Sequence, residues 1–231
     1  MKLSIIIPVY NEEKTIKQII DRVEKVNLGK IKKELIIVND YSSDNSVNII
    51  KKLIKKYKNI RLINHNKNLG KGAAIRTGLN YFTGSLVIIQ DGDLEYNPEE
   101  YKKLIKPILD GKTKVVYGSR MTGRIRGSQI PLHYIGNWGL SLVTMLLYLR
   151  KITDMETCYK LMTSDVVKSL KLRARRFDFE PEITAKLIKK GYKIIEIPIT
   201  YNSRSFQEGK KITVIDGIKA FYYLIKYRFT D

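Results

Sequence analysis

Short apolar runs recur along this chain, each ending abruptly in polar residues and followed by a helical period. Residues 3–9 are an almost unbroken series of Leu, Ile and Val with Pro8 near its end, the pattern of a strand buried on both faces of a parallel sheet. Ile16, Ile19, Ile20, Val23 and Val26 then recur at helical spacing opposite Lys and Glu, with Asn11 placed to cap that helix and Gly29 to close it. The alternation repeats: a strand at 35–38, a helix carrying Val47, Ile50, Leu53, Ile54 and Tyr57 on one stripe, a strand at 60–63, a Gly-rich turn entering a helix, and a strand at 86–89. Such βαβαβ order implies right-handed crossovers and a doubly wound, mostly parallel α/β sheet, so these strand ends share one edge of the molecule.

The second half is less regular. A helix at 98–109 opens on Asn97 and Pro98, a strand covers 115–117, and a helix begun by residues 177–182 runs to about Lys190, closed by Gly191 before a strand at 194–199. Between Met121 and Asn137 the period breaks, and Gly123, Arg124, Arg126 and Gly127 read as a basic loop, either a lid or an ordinary surface connection. Residues 138–149 are mostly apolar but too short to span a bilayer, which leaves a core helix or one lying in a membrane interface. The last helix, at 213–229, mixes Tyr, Phe and Lys as interfacial helices do. With no repeat or linker, the 231 residues read as one domain.

Composition changes this picture in two places. Lys+Arg of 43 against Asp+Glu of 23 gives a net charge of +20, which points to polyanionic partners: nucleic acid, phosphorylated small molecules or an anionic membrane face. The single cysteine, Cys158, excludes an internal disulfide and reads as a small buried residue, while His65 and His133 are too few for a metal cluster. Met1, Lys2 and Leu3 run directly into a strand, so no signal peptide is expected and the default location is the cytoplasm.

The chemistry gathers at strand ends. After the strand at 86–89, Asp91, Asp93 and Glu95 fall within five residues on a strand-to-helix loop, where open α/β sheets bind ligands. Three hard oxygen ligands there suit Mg²⁺ or Mn²⁺ holding a diphosphate; an ordinary solvated loop is the alternative. Asn39, Asp40 and Asp44 end the second strand in the same manner. Gly70, Lys71 and Gly72 resemble a phosphate cradle but lack the P-loop ending, and close backbone packing explains the glycines equally well.

Taken together, Pro8-Val-Tyr-Asn-Glu12, Val38-Asn-Asp40-Tyr-Ser-Ser-Asp44, Asn68-Leu-Gly-Lys-Gly72, Asp91-Gly-Asp93, Gly118-Ser-Arg120 and Asp154-Met-Glu-Thr-Cys-Tyr-Lys160 resemble glycosyltransferase family 2. Within it the chain is most similar to the dolichol-phosphate mannose synthase and polyprenyl-phosphate sugar transferase branch. The resemblance covers nearly the whole chain and implies a GT-A fold, with a nucleotide-sugar half at 1–119 and an acceptor half at 120–231. It assigns Pro8, Tyr10, Glu12, Val38, Asp40, Asp91 and Gly92 to the donor, and Asp91, Asp93 and Glu95 to an Mg²⁺ or Mn²⁺ site. It gives catalytic roles to Asp93, Arg120 and Arg204, and sets Arg120, Arg204 and Lys210 around the acceptor phosphate. Asn39 stands where the family commonly has Asp, Glu95 replaces a frequent Gln, and Pro131-Leu-His133 lacks an Arg carried by many mannose synthases. These departures bear on the sugar more than on the reaction.

The implied activity is metal-dependent, inverting transfer of a hexose, mannose or glucose, from GDP- or UDP-sugar to a polyprenyl or dolichyl phosphate. The protein would sit peripherally on the cytoplasmic face of a membrane, with a separate membrane subunit left open. The same fold acting on a soluble or glycan acceptor is the alternative; cations and the apolar 138–149 segment favour the lipid phosphate. A nucleic-acid-binding protein would account for the charge, but no nucleic-acid module supports it.

Overall fold

The computed structural model describes residues 1–127, 131–204 and 214–230, and only the backbone of 131–135 and 214–216. Among them one sheet holds seven strands in the order β3-β2-β1-β4-β6-β5-β7. The first four are β1 (Lys2–Val9), β2 (Lys32–Asn39), β3 (Ile60–Asn64) and β4 (Leu86–Ile89). They are mutually parallel where they pair, and β1 lies between β2 and β4. The connecting helices α1 (Ile16–Lys25), α2 (Ser46–Lys56) and α3 (Lys71–Gly78) carry the chain outward from β1 to β3 and back across to β4. The strand order therefore reverses at β1, and a crevice forms outside the carboxyl ends of β1 and β4. Ile5, Ile6 and Ile7 of β1 and Leu86 to Ile89 of β4 are buried, as two-sided apolar strands require.

The second half adds β5 (Val115–Gly127), β6 (Lys160–Thr163) and β7 (Ile194–Ser203). β6 runs antiparallel to both β4 and β5, and β7 is parallel to β5, so the sheet is parallel but for one strand. Its helices are α4 (Tyr101–Leu109) after a 3₁₀ turn at Pro98–Glu100, α5 (Pro131–Tyr148), α6 (Ser164–Ser169), α7 (Phe179–Lys189) and α8 (Val214–Phe229). Asn97 caps the 3₁₀ turn as expected, accepting from the Glu99 N–H at 3.2 Å.

Two local expectations need correcting. Residues 121–127, read as a basic loop, are the end of β5, paired with β7 after a register shift between Ser119 and Arg124. Arg124 and Arg126 face outward, and Gly123 is required because a Cβ there would fall 1.9 Å from the Ile199 carbonyl oxygen. Asn11 does not cap α1, which begins at Ile16; it adopts a φ of 53° and its Oδ1 accepts from the Ser43 N–H at 2.9 Å, tying the loop after β1 to the loop after β2. The apolar segment at 138–149 is one part of α5, with one face in the core and another outside it: Leu140, Thr144 and Tyr148 are buried, whereas Trp138 and Leu146 are 58% and 65% exposed. α5 lies against α8, where the Tyr148 hydroxyl donates to the Leu224 carbonyl at 2.8 Å. None of the described helices is long and apolar enough to cross a membrane.

Candidate active site

The loops at the β1/β4 crevice are held by side chains bonded to backbone rather than by packing. Ser42 Oγ accepts from the Asn11 N–H at 3.0 Å, Ser46 Oγ from the Glu12 N–H at 2.9 Å, and Asp44 from the Glu13 N–H at 2.9 Å. Asn11, Tyr41 and Leu94 carry positive φ angles of 53°, 65° and 66°, an uncommon backbone for residues other than glycine, and all three lie on these loops. Pro8 is half-buried at the end of β1 and Tyr10 is exposed beyond it. The Val38 side chain is buried in the core.

Asp40 is likewise turned inward. Its Oδ1 accepts from the Leu69 N–H at 2.8 Å and Oδ2 from the Gly70 N–H at 2.7 Å, while His65 Nδ1 lies 2.7 Å from Oδ1. The carboxylate thus shapes the Gly-rich turn. Gly70 has a φ of 96°, and a Cβ on it would meet the Arg175 carbonyl oxygen at 2.5 Å. Backbone packing therefore accounts for this glycine.

The three acids after β4 do not all converge on one point. Asp91 pairs with Lys71 at 2.9 Å, and Lys71 also reaches Glu180 at 3.3 Å. Glu95 is buried, with Oε2 accepting from the Tyr201 hydroxyl at 2.6 Å and Oε1 from the Arg204 N–H at 2.9 Å. Asp93 meets Arg204 Nη2 at 2.8 Å. Accordingly, no three acidic, histidine or cysteine side chains are gathered as a metal-binding set among the described residues. Asp93 and Glu95 share Arg204 while Asp91 is held by Lys71, a division the spacing alone did not show. Gly92 stands between the first two, close to Glu12.

Electrostatics distinguish the three. Burial pushes the Asp93 carboxyl well above the ordinary carboxylate range, the neighbouring Glu95 and Asp91 push it further, and Arg204 only partly opposes them. An acid driven toward neutrality by crowded carboxylates is where a divalent cation lowers the energy most, so Asp93 with Asp91 beside it fits such an ion. Glu95, with both oxygens engaged, does not.

Arg204 lies just past β7, with Asp93 at 2.8 Å, Glu12 at 3.5 Å and Glu95 at 3.9 Å. Burial alone would lower its guanidinium, but those carboxylates raise it above its ordinary value. Arg120, on β5, is closed into a two-pronged pair with Asp154: Nε donates to Oδ2 at 2.8 Å and Nη2 to Oδ1 at 2.7 Å. Its guanidinium lies over the Tyr201 ring, 5.2 Å from the centroid, so Tyr201 links it to Glu95. Lys210 lies outside the described residues.

Lys71 and Glu180 were not assigned roles from the sequence, although Lys71 bridges Glu180 to Asp91. Glu180 is 4% exposed and its Oε2 has no hydrogen-bond partner. The available signal was a Glu inside an otherwise apolar helix start, Phe179-Glu180-Pro181. Cys158 is buried, as expected of a small core residue.

A sequence model of glycosyl transferase family 2 matches residues 4–171. UDP-N-acetylglucosamine-dolichyl-phosphate N-acetylglucosaminyltransferase of Methanococcus voltae is 31% identical over 96% of this chain and 94% of its own. Dolichyl-phosphate beta-glucosyltransferase ALG5A of Trichomonas vaginalis is 31% identical over 97% of this chain and 72% of its own. Dolichol-phosphate mannosyltransferase of Pyrococcus furiosus is 28% identical over 98% and 64%. Glucosyl-3-phosphoglycerate synthase of Mycobacterium tuberculosis, solved with Mn²⁺, UDP-glucose and phosphoglyceric acid, shares the fold with a TM-score of 0.74 over 98% of this chain and 79% of that one, at 18% identity. The chain belongs to glycosyl transferase family 2 and has its GT-A fold.

Proposed function

From membership of that family, we propose that the chain transfers a sugar from a nucleoside diphosphate donor, GDP or UDP, to the phosphate of a polyprenyl lipid, with inversion and with a divalent cation. The observation that carries the reading is the meeting of Arg204 with Asp93 at the carboxyl end of β4, beside the end of β1. A cation among carboxylates at a topological switch point is a place where phosphates and metal can exchange partners with side chains already present. The relatives named above are described as acting with N-acetylglucosamine, glucose and mannose, so the donor sugar is a hexose or an N-acetylhexosamine.

The protein groups have separable tasks. Asp93, with Asp91, would hold Mg²⁺ or Mn²⁺. Bound there, the ion would supply positive charge to the departing diphosphate. Pro8, Tyr10, Glu12 and Gly92 border the crevice for the nucleotide, and Val38 and Asp40 support it from within. Arg204 holds the acceptor phosphate, and Arg120 presents to it Nη1, the nitrogen outside its pair with Asp154. Lys210 joins them from beyond the described residues. A phosphate monoester, with its second pKa near ~6, is already largely dianionic at neutral pH and needs no protein base. The outward apolar residues of α5 and α8 lie on the cytoplasmic surface of a membrane.

Purified protein incubated with a panel of radiolabelled nucleotide sugars and a short polyprenyl phosphate tests this. Label should pass into the organic phase from one donor, stop with EDTA, and resume with Mn²⁺ or Mg²⁺. Transfer only to a soluble glycan, or turnover indifferent to EDTA, would refute the assignment.

A further inference from the structure

Away from the crevice, a cavity of about 840 Å³ opens between the Gly-rich turn, the 173–178 loop and α8. Among the described residues six cations line it, Lys67, Arg173, Arg175, Arg176, Lys219 and Lys226, against one carboxylate, Asp178. The acids nearest the arginines are bound to backbone. Asp178 Oδ1 accepts the Arg175 and Arg176 N–H groups at 3.2 and 2.7 Å, and buried Glu182 accepts those of Arg173 and Ala174 at 2.7–2.9 Å. The arginine loop is further fixed by the Ala73 N–H, which donates to the Arg175 carbonyl at 2.9 Å. The site is therefore built: its backbone is anchored before any ligand arrives, and the balance of charge around the cavity is strongly positive.

Its position on α8 indicates the source of the anion. Lys219, Tyr223, Lys226 and Tyr227 face the cavity. About one residue's rotation away, Ile218, Phe221, Tyr222, Ile225 and Phe229 form an exposed apolar stripe. A ligand with a phosphate and a hydrocarbon tail would satisfy both at once. We propose that this cavity binds the phosphate headgroup of an anionic membrane lipid while the α8 stripe enters the acyl region beside it. The proposal rests on the membrane reading above and adds a site to it. That site lies apart from the acceptor arginines and shares with the donor crevice only the turn at 67–69, whose Leu69 N–H is bonded to Asp40.

The test is co-sedimentation with phosphatidylcholine vesicles containing phosphatidylglycerol, for wild type, a Lys219→Gln/Lys226→Gln variant, an Arg175→Gln/Arg176→Gln variant, and a Lys51→Gln/Lys52→Gln control that removes the same charge from an exposed face of α2. Each cavity variant should bind about tenfold or more weakly, since each cation near an anionic surface contributes several-fold, and the control should change less than about twofold. The Lys219/Lys226 variant should keep its turnover on a water-soluble short-chain acceptor. Equal losses in control and cavity variants would overturn the proposal in favour of general charge attraction. Release of wild type by glycerol phosphate at the lipid concentration would overturn it in favour of a soluble phosphate site. Wild type that ignored the vesicles would overturn the membrane reading as well, whereas unchanged binding by both cavity variants would overturn the cavity alone.

Discussion

Arg120 and Arg204 stand on paired strands, β5 and the end of β7, yet their surroundings differ in the count of charges. Arg120 has one carboxylate, Asp154, with both of its oxygens engaged and neither side chain reaching much solvent. Among the described residues Arg204 meets three, Asp93, Glu12 and Glu95, of which none takes the whole guanidinium. A one-to-one buried pair is self-sufficient and resists exchange. One cation among three anions is an unbalanced set whose partners can be replaced by a ligand and its metal. The comparison separates a pair closed on itself from a set open to exchange.

The largest effect should come from breaking the closed pair. Asp154→Ala leaves the Arg120 charge buried without its partner and should cost about 3–5 kcal/mol, a large share of the stability of a typical domain. An Arg120→Met/Asp154→Leu double variant removes both charges and should recover most of that, as urea midpoints would show. Equal loss in the double variant would mean that the pair is needed for more than charge balance.

The open set should respond in rate instead. Arg204→Ala takes a cation from Asp93 and Glu95 together, but Glu95 keeps the Tyr201 hydroxyl and the residue-204 N–H, so stability should fall by about 1–2 kcal/mol, less than for Asp154→Ala, while turnover on polyprenyl phosphate drops roughly 10²-fold, the loss typical of one preorganised charged contact. Lys at 204 should restore only part, because it offers a point charge in place of a planar fork. A variant that unfolds as readily as Asp154→Ala would erase the distinction between the two arginines.

How much of this could be read beforehand follows from the range of the interactions. β1, β2 and β4 are legible because two-sided burial writes itself as consecutive Ile, Val and Leu, and α1 and α2 because their period is local. β6 escaped because its four residues open on Lys160, a charge that stays buried by donating to the Met155 and Thr157 carbonyls. The strand character of 121–127 was present as an alternation of exposed and half-buried positions, but glycine and arginine there also suit a loop, and only pairing with β7 decides. In the site, position along the strand ends was legible and direction was not. Asp91, Asp93 and Glu95 lie where expected, yet each is claimed by a partner at least 20 residues away: Lys71, Arg204 and Tyr201.

The smallest effect bears on how exclusively Arg120 belongs to Asp154. Glu156 is half-buried close by, with its Oε1 enclosed and lacking a hydrogen-bond partner. Burial and then the charge of Glu180 raise its carboxyl from 4.5 to about 8, and Lys160 and Arg120 pull it back only in part. A folded-state pKa above the unfolded value means that the native protein holds a proton which the unfolded chain has released. Stability should therefore fall as pH rises from about 4.5 to about 8 and level off above. Glu156→Gln keeps the shape, removes the titration, and should flatten that slope; at pH 8 it should stabilise by about 1 kcal/mol or more, a few degrees in melting midpoint for a chain of this length. Near pH 4 the two proteins should melt together. Were Arg120 instead shared between Asp154 and Glu156, the glutamate would be held ionised, and Gln would lower the midpoint at neutral pH. Thermal melts of wild type and Glu156→Gln across pH 4–9 thus read, by the sign of their difference at pH 8, whether the closed pair is closed.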